Sequence, residues 1–117
     1  MSTQKDEEKK NIMPLLEQLL QEHVLFNPLR LCIMSILLLH KNGVSFAELK
    51  RMLNVSPSTL EANIERLEKE GYLMKRKVLR DLHVRVIVAP TEKGVKNTKR
   101  TLMILYEFLR QILGQDA

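Results

Sequence analysis

Residues 45–71 read SFAELKRMLNVSPSTLEANIERLEKEG, two short helical patterns that meet at the stretch NVSP. Ser45 stands three residues before Glu48, the spacing of a capping box, and Val44 and Leu49 are placed to close a hydrophobic staple around it. A helix is therefore predicted from Ser45 to about Leu53. Ser56 followed by Pro57 repeats the start signal, because proline at the first helical position gives up an N–H that the helix does not use. Val55 and Leu60 can form a second staple, and Gly71 is suited to the left-handed position that stops a helix. Asn54–Ser56 is then a tight turn between two helices. The second helix carries four glutamates against one arginine and one lysine, and this acidity must be reconciled with any function proposed for it.

Upstream, Ile12, Leu16, Leu19, Leu20, Val24 and Phe26 recur at helical spacing after Asn11, a candidate cap. Residues 1–10 are polar and are read as a flexible tail. Asn27 then Pro28 opens another helix, which ends before Lys41-Asn42-Gly43; it is apolar nearly all round and is expected to be central. Downstream of Gly71 the periodicity changes. The segments Tyr72–Leu79 and His83–Pro90 are rich in β-branched residues and alternate in character, which predicts two strands. Their connection, Arg80-Asp81-Leu82, lacks the Asn-Gly or Asp-Gly of a two-residue hairpin, so the register is left open. Thr91 caps a last helix that runs to about Leu113, before Gly114. Along it Val95, Thr98, Leu102, Leu105, Leu109 and Ile112 step by three and four, with Ile104 and Phe108 widening the apolar face. The plain reading is packing against the chain's own core; the width of the face favours contact with a second copy as well.

The fold class is thus mainly α with a small β-hairpin: one domain over 11–117, with 91–114 a dimerisation helix. A chain of 117 residues can bury enough surface to fold without a metal or disulfide staple. Its single cysteine, Cys32, cannot form an internal disulfide and is expected in the core, a redox-sensing thiol being the sharper alternative. The apolar run Leu31–Leu39 is far shorter than a bilayer span, and the charged N-terminus is not a cleavable signal. A cytoplasmic protein is expected. The net charge of +5 favours an anionic partner. Residues 72–90 hold five Lys or Arg against one Asp, which locates the surplus in the hairpin.

Three helices, a short turn within the last pair and a basic two-stranded hairpin make the order of a winged helix-turn-helix. The blocks NPLRLCIMSILLL (27–39), SFAELKRMLNVSPSTLEANIERLEKEGYL (45–73) and APTEKG (89–94) resemble those of small archaeal and bacterial winged-helix transcriptional regulators of the MarR and ArsR type. The resemblance covers about 27–95. It implies binding to double-stranded DNA as a homodimer, with the recognition helix, 57–70, in the major groove and the wing, 72–90, on the backbone or minor groove.

Placing the recognition helix at 100° per residue puts Leu60, Ile64 and Leu67 inward and Ser58, Ala62 and Lys69 outward. Thr59, Asn63 and Arg66 fall on one flank; Glu61, Glu65 and Glu68 fall on the other. The acidity is a stripe, so one side remains free to meet DNA. Ser56, Ser58, Thr59, Ala62 and Asn63 offer short groups to a groove, Asn63 could pair with adenine, and Arg66 could reach guanine or a phosphate. The glutamates are expected to pair with Lys50, Arg51 or Lys69, or else to repel unsuitable sequences. Phosphate affinity falls to Lys75, Arg76, Lys77, Arg80, His83 and Arg85, although lysines on an exposed strand also serve to block edge pairing. Leu16, Leu19, Leu102, Leu105, Leu109 and Ile112 are the candidate dimer interface.

No glycine-rich phosphate loop or nucleophile–base pair suggests an enzyme. His23, His40 and His83 lie in three separate elements, so neither a metal nor another cofactor is expected. Two alternatives to a specific regulator stay open: a winged-helix protein-interaction module and a nonspecific, chromatin-like DNA binder. Operator, effector ligand and sign of regulation are not written in the sequence.

Overall fold

Four of the five helices open on a side chain that accepts a hydrogen bond from their own first turn. The computed structural model describes residues 2–114, and side chains from 12 to 114. Along the chain these form α1 (Ser2–Gln21), α2 (Pro28–Leu39), β1 (Val44–Ser45), α3 (Phe46–Leu53), α4 (Pro57–Lys69), β2 (Leu73–Arg80), β3 (His83–Pro90) and α5 (Glu92–Leu113). Asn27, Ser45, Ser56 and Thr91 cap α2, α3, α4 and α5 by accepting from the N–H of Arg30, Glu48, Thr59 and Gly94. Each satisfies a donor that the helix leaves orphaned, worth about 1 kcal/mol.

The turn between α3 and α4 follows from Asn54, which closes α3 at φ 51° with its N–H on the Lys50 carbonyl; asparagine tolerates that left-handed geometry. At the other end of α4 the Gly71 N–H donates to Glu68 O and the Tyr72 N–H to Leu67 O, both at 2.9 Å. With Gly71 at φ 81° this is a Schellman closure. Tyr72 is buried there, its hydroxyl donating to Glu22 Oε1 at 3.3 Å. Burial first, then the Glu22 carboxylate, pushes the phenol up to about 12.

The hairpin pairs Leu73 with Pro90 through to Arg80 with His83, and β1 joins it by pairing Val44 with Val88, giving the sheet order β1-β3-β2. The two-residue β1 was not predicted. The hairpin closes through a two-residue loop, with Asp81 at φ 49° and Leu82 at φ 64°. That is a type I′ arrangement formed without the expected Asn-Gly; holding leucine there costs on the order of 1–2 kcal/mol.

The core is Val24, Leu25, Ile33, Met34, Leu37, Val44, Leu49, Leu60, Ile64, Leu67, Tyr72, Leu73 and Val88, drawn from every layer of the winged-helix unit. Three expectations need correcting. Cys32 is exposed, not in the core, and Leu39 on the same helix is 82% exposed. An apolar run without a period does not say which of its faces turns inward, and α2 buries only Ile33, Met34 and Leu37 completely. The first helix is continuous through Asn11 and Pro14 and is not capped at Asn11. Leu19, assigned to the dimer interface, is 2% exposed within the single chain and so belongs to internal packing, where α1 lies along α5.

Candidate nucleic-acid interface

On α4, Leu60, Ile64 and Leu67 are buried while Ser58, Thr59, Glu61, Ala62, Glu65, Arg66, Glu68 and Lys69 are exposed, in accord with the 3.6-residue wheel. Ser56 is engaged in its cap: its hydroxyl accepts from the Thr59 N–H at 3.2 Å and donates to Thr59 Oγ1 at 2.8 Å. Asn63 is half-buried. Its Nδ2 donates to Thr59 O at 2.8 Å and its Oδ1 accepts from Arg30 Nη1 at 3.1 Å, so both ends of the amide are used inside the chain.

Arg30, which sequence reasoning did not single out, spreads its fork over three acceptors. Besides Asn63 it donates from Nε to Val24 O at 2.6 Å and from Nη2 to His23 O at 3.3 Å. It thereby ties the segment after α1 to α4, a geometry that lysine could not reproduce. Burial and then the nearby Arg66 charge lower its pKa from the ordinary value. Arg30 and Arg66 therefore make a positive pair beside the flank that carries Thr59 and Asn63.

The wing charges are all exposed, but the register divides them between two faces. Lys75 and Lys77 stand opposite Val88 and Val86, whereas Arg76 and Arg80 stand opposite Ile87 and His83 on the other face with Arg85. The first face looks towards α4. There Lys75 Nζ lies 3.4 Å from Glu68 Oε1, across a groove of about 580 Å³ whose lining includes Phe46, Glu61, Ile64, Glu68, Lys75, Lys77 and Val86. The ion-pair partner found for the acidic stripe among the described residues is this wing lysine, in place of the expected Lys50, Arg51 or Lys69. On the opposite face Arg76 Nη2 donates to Asn42 O at 3.2 Å, fastening the hairpin to the turn before β1.

The wing is anchored at its base by the segment Thr91–Gly94. Thr91 Oγ1 donates to Gly71 O at 2.6 Å, the Thr91 N–H bonds Tyr72 O at 3.1 Å, and Lys93 Nζ bonds Glu70 O at 2.8 Å. The start of α5 is thus locked to the end of α4. Among the described residues no group of three or more His, Cys, Asp or Glu could hold a metal ion, and no helix is long and apolar enough to cross a membrane.

The fold and this surface define a winged helix, and the sequence matches the winged helix DNA-binding domain family over residues 29–109. The chain belongs to that family, which is one of DNA-binding regulators and not of enzymes. A transcriptional regulator homologue from Pyrococcus horikoshii OT3 is 31% identical, with a TM-score of 0.80 over 86% of this chain and 98% of that one. A mutant MarR from E. coli shares the fold at 17% identity, TM-score 0.71, over 100% of this chain and 84% of that one. So does a mutant of S. aureus MepR bound to an oligodeoxyribonucleotide, at 18% identity and TM-score 0.66 over 96% and 78%. No match was found among curated protein sequences. The fold is that of a winged helix-turn-helix regulator of MarR type.

Proposed function

We propose that the chain is a sequence-specific, homodimeric transcriptional regulator that sets α4 in the major groove of duplex DNA and its wing on the backbone or minor groove. The observation that carries this is the pairing of a non-acidic α4 flank, backed by Arg30 and Arg66, with an exposed basic wing on the same winged-helix unit. Ser58, Thr59 and Ala62 supply short groups at the groove and Arg66 reaches a guanine or a phosphate. Asn63 contributes to base readout by orienting that flank through Arg30, or by exchanging its internal bonds for an adenine edge. Lys77, Arg80, His83 and Arg85 take phosphates, and Lys75 and Arg76 join them when released from Glu68 and Asn42. A MepR mutant of the same fold holds an oligodeoxyribonucleotide, which supports DNA as the partner.

The second copy docks on α5. Met103, Tyr106, Leu109, Ile112 and Leu113 are 71%, 68%, 44%, 54% and 63% exposed, a density of apolar surface that supports an interface there. Leu16, Leu102 and Leu105, half-buried, line its edge. Two-fold pairing then presents two recognition helices about one DNA turn, roughly 34 Å, apart.

Selection of binding sites from random duplex DNA, run with the natural chain and with Asn63→Ala and Arg66→Ala, tests base readout. An inverted repeat is expected, with preference relaxed at particular positions in each variant by roughly 1–3 kcal/mol per bidentate pair. Identical motifs from all three proteins would remove these residues from readout. Binding without any enriched motif would favour a chromatin-like binder, and no binding would favour a protein-interaction module.

A further inference from the structure

The outermost residue of the wing is Leu82, 91% exposed, with Leu79 and Val84, 69% and 66% exposed, as a cross-strand pair behind it. One exposed leucine on a protein surface carries no meaning by itself. Leu82, however, also holds φ 64° at the second loop position of a type I′ turn, where glycine or asparagine relieves the backbone and removes the exposed apolar side chain together. With its side chain almost wholly in solvent, internal packing does not account for leucine there. Backbone strain at a position with no packing role is a mark of function.

The surroundings identify the partner. Arg80 and His83 form the cross-strand pair next to the loop, with Lys77 and Arg85 further from it and Asp81 the sole acid between them. An apolar point flanked by the charges of Lys77, Arg80 and Arg85 suits a polyanion whose interior is apolar. Proteins that enter the minor groove use this combination: basic groups hold the phosphates while leucine or a similar wedge slips between base pairs and kinks the duplex. A protein partner for the tip would have to be strongly acidic as well as apolar, and duplex DNA meets both requirements without further assumption.

We infer that the wing tip, led by Leu82 and backed by Leu79 and Val84, enters the minor groove as an apolar wedge that partly unstacks one base step and bends the DNA. This rests on the proposed role of the wing in DNA binding and adds a source of specificity to it. Pyrimidine–purine steps such as TA and CA unstack most readily, so the wedge selects such a step without a hydrogen bond to any base. An α4 with one acidic flank then need not carry all of the discrimination.

Permanganate, which oxidises unstacked thymines, reads this directly on a duplex recovered by site selection, or on a mixed-sequence duplex if none is enriched. The full chain is compared with Leu82→Asn, a variant that suits the left-handed backbone and whose fold is checked by circular dichroism. The natural chain should make a thymine of a pyrimidine–purine step more reactive than in free DNA, and Leu82→Asn should bind and leave that thymine unreactive. Binding by the natural chain without a reactive thymine, or equal reactivity with both proteins, overturns the wedge alone. Failure of Leu82→Asn alone to bind overturns the wedge as a feature separable from affinity, and absence of binding by the natural chain overturns the wedge together with the DNA-binding role on which it rests.

Discussion

At Gly94 an added Cβ would lie 1.8 Å from the Tyr72 carbonyl oxygen and 2.9 Å from Met34 Cε. The first turn of α5 therefore passes directly over the junction of α4 and the wing, and the obstacle is backbone, which cannot swing aside. Gly94→Ala should destabilise the fold by about 3 kcal/mol, at the upper end of the overpacking range, seen as a lower urea midpoint with loss of DNA binding at 37 °C. An unchanged midpoint would mean that α5 is not seated on this junction. Caps such as Ser45, Ser56 and Thr91 were legible in the sequence because the acceptor and its N–H lie three residues apart. The bond of Arg30 to Asn63 spans 33 residues and has no such local signature; only the fold brings the two together. Cys32 was misplaced for a related reason, since a run of unbroken apolar residues holds no record of its outward face.

Between elements, the acidic stripe of α4 and the basic wing neutralise each other at Glu68 and Lys75. An exposed pair of this kind adds less than about 1 kcal/mol to stability; under the proposed function its larger effect is to withhold one lysine from phosphate and to keep a carboxylate beside the duplex. Glu68→Gln should leave the melting temperature nearly unchanged, raise DNA affinity, and steepen the log–log salt dependence by roughly 0.9, the slope of one added phosphate pairing. Isothermal titration at several salt concentrations measures this; equal or weaker affinity would show that Glu68 does not restrain the wing. Changing Lys75, Arg76, Lys77 and Arg80 together to alanine should act oppositely, weakening binding to all sequences alike and flattening the slope by roughly 0.9 for each phosphate no longer neutralised. Unaltered affinity in that variant would remove the wing from the backbone. Both strands of the wing were legible from their alternation and β-branched residues. Its loop was not, because Leu82 runs against the chemistry of the turn it forms, and β1 was not, because two residues acquire strand geometry only by pairing with Val88 and Ile87.

At the scale of the molecule, α1 packs along α5 beside the winged-helix unit. Such a pair leaves apolar surface on both helices, including Leu20 at 72% and Met103 at 71% exposed, that a single copy does not cover. Leu109 and Ile112, interface candidates from the helical period in α5, are exposed while Thr98 on the same stripe is buried; Met103, Tyr106 and Leu113 fall on the neighbouring face, outside the three-and-four stripe, where the period gave no signal. Leu105→Lys with Leu109→Lys should place charge in this surface, give a monomer by light scattering, and abolish tight DNA binding while helix content is retained; a dimer in the double variant would put the interface elsewhere. Above all, two copies are held to read one duplex through paired recognition helices. Sedimentation equilibrium of the complex on a single selected duplex tests this most directly. Two chains per duplex, on half-sites spaced by one helical turn, is the predicted result; one chain per duplex at saturation would contradict it.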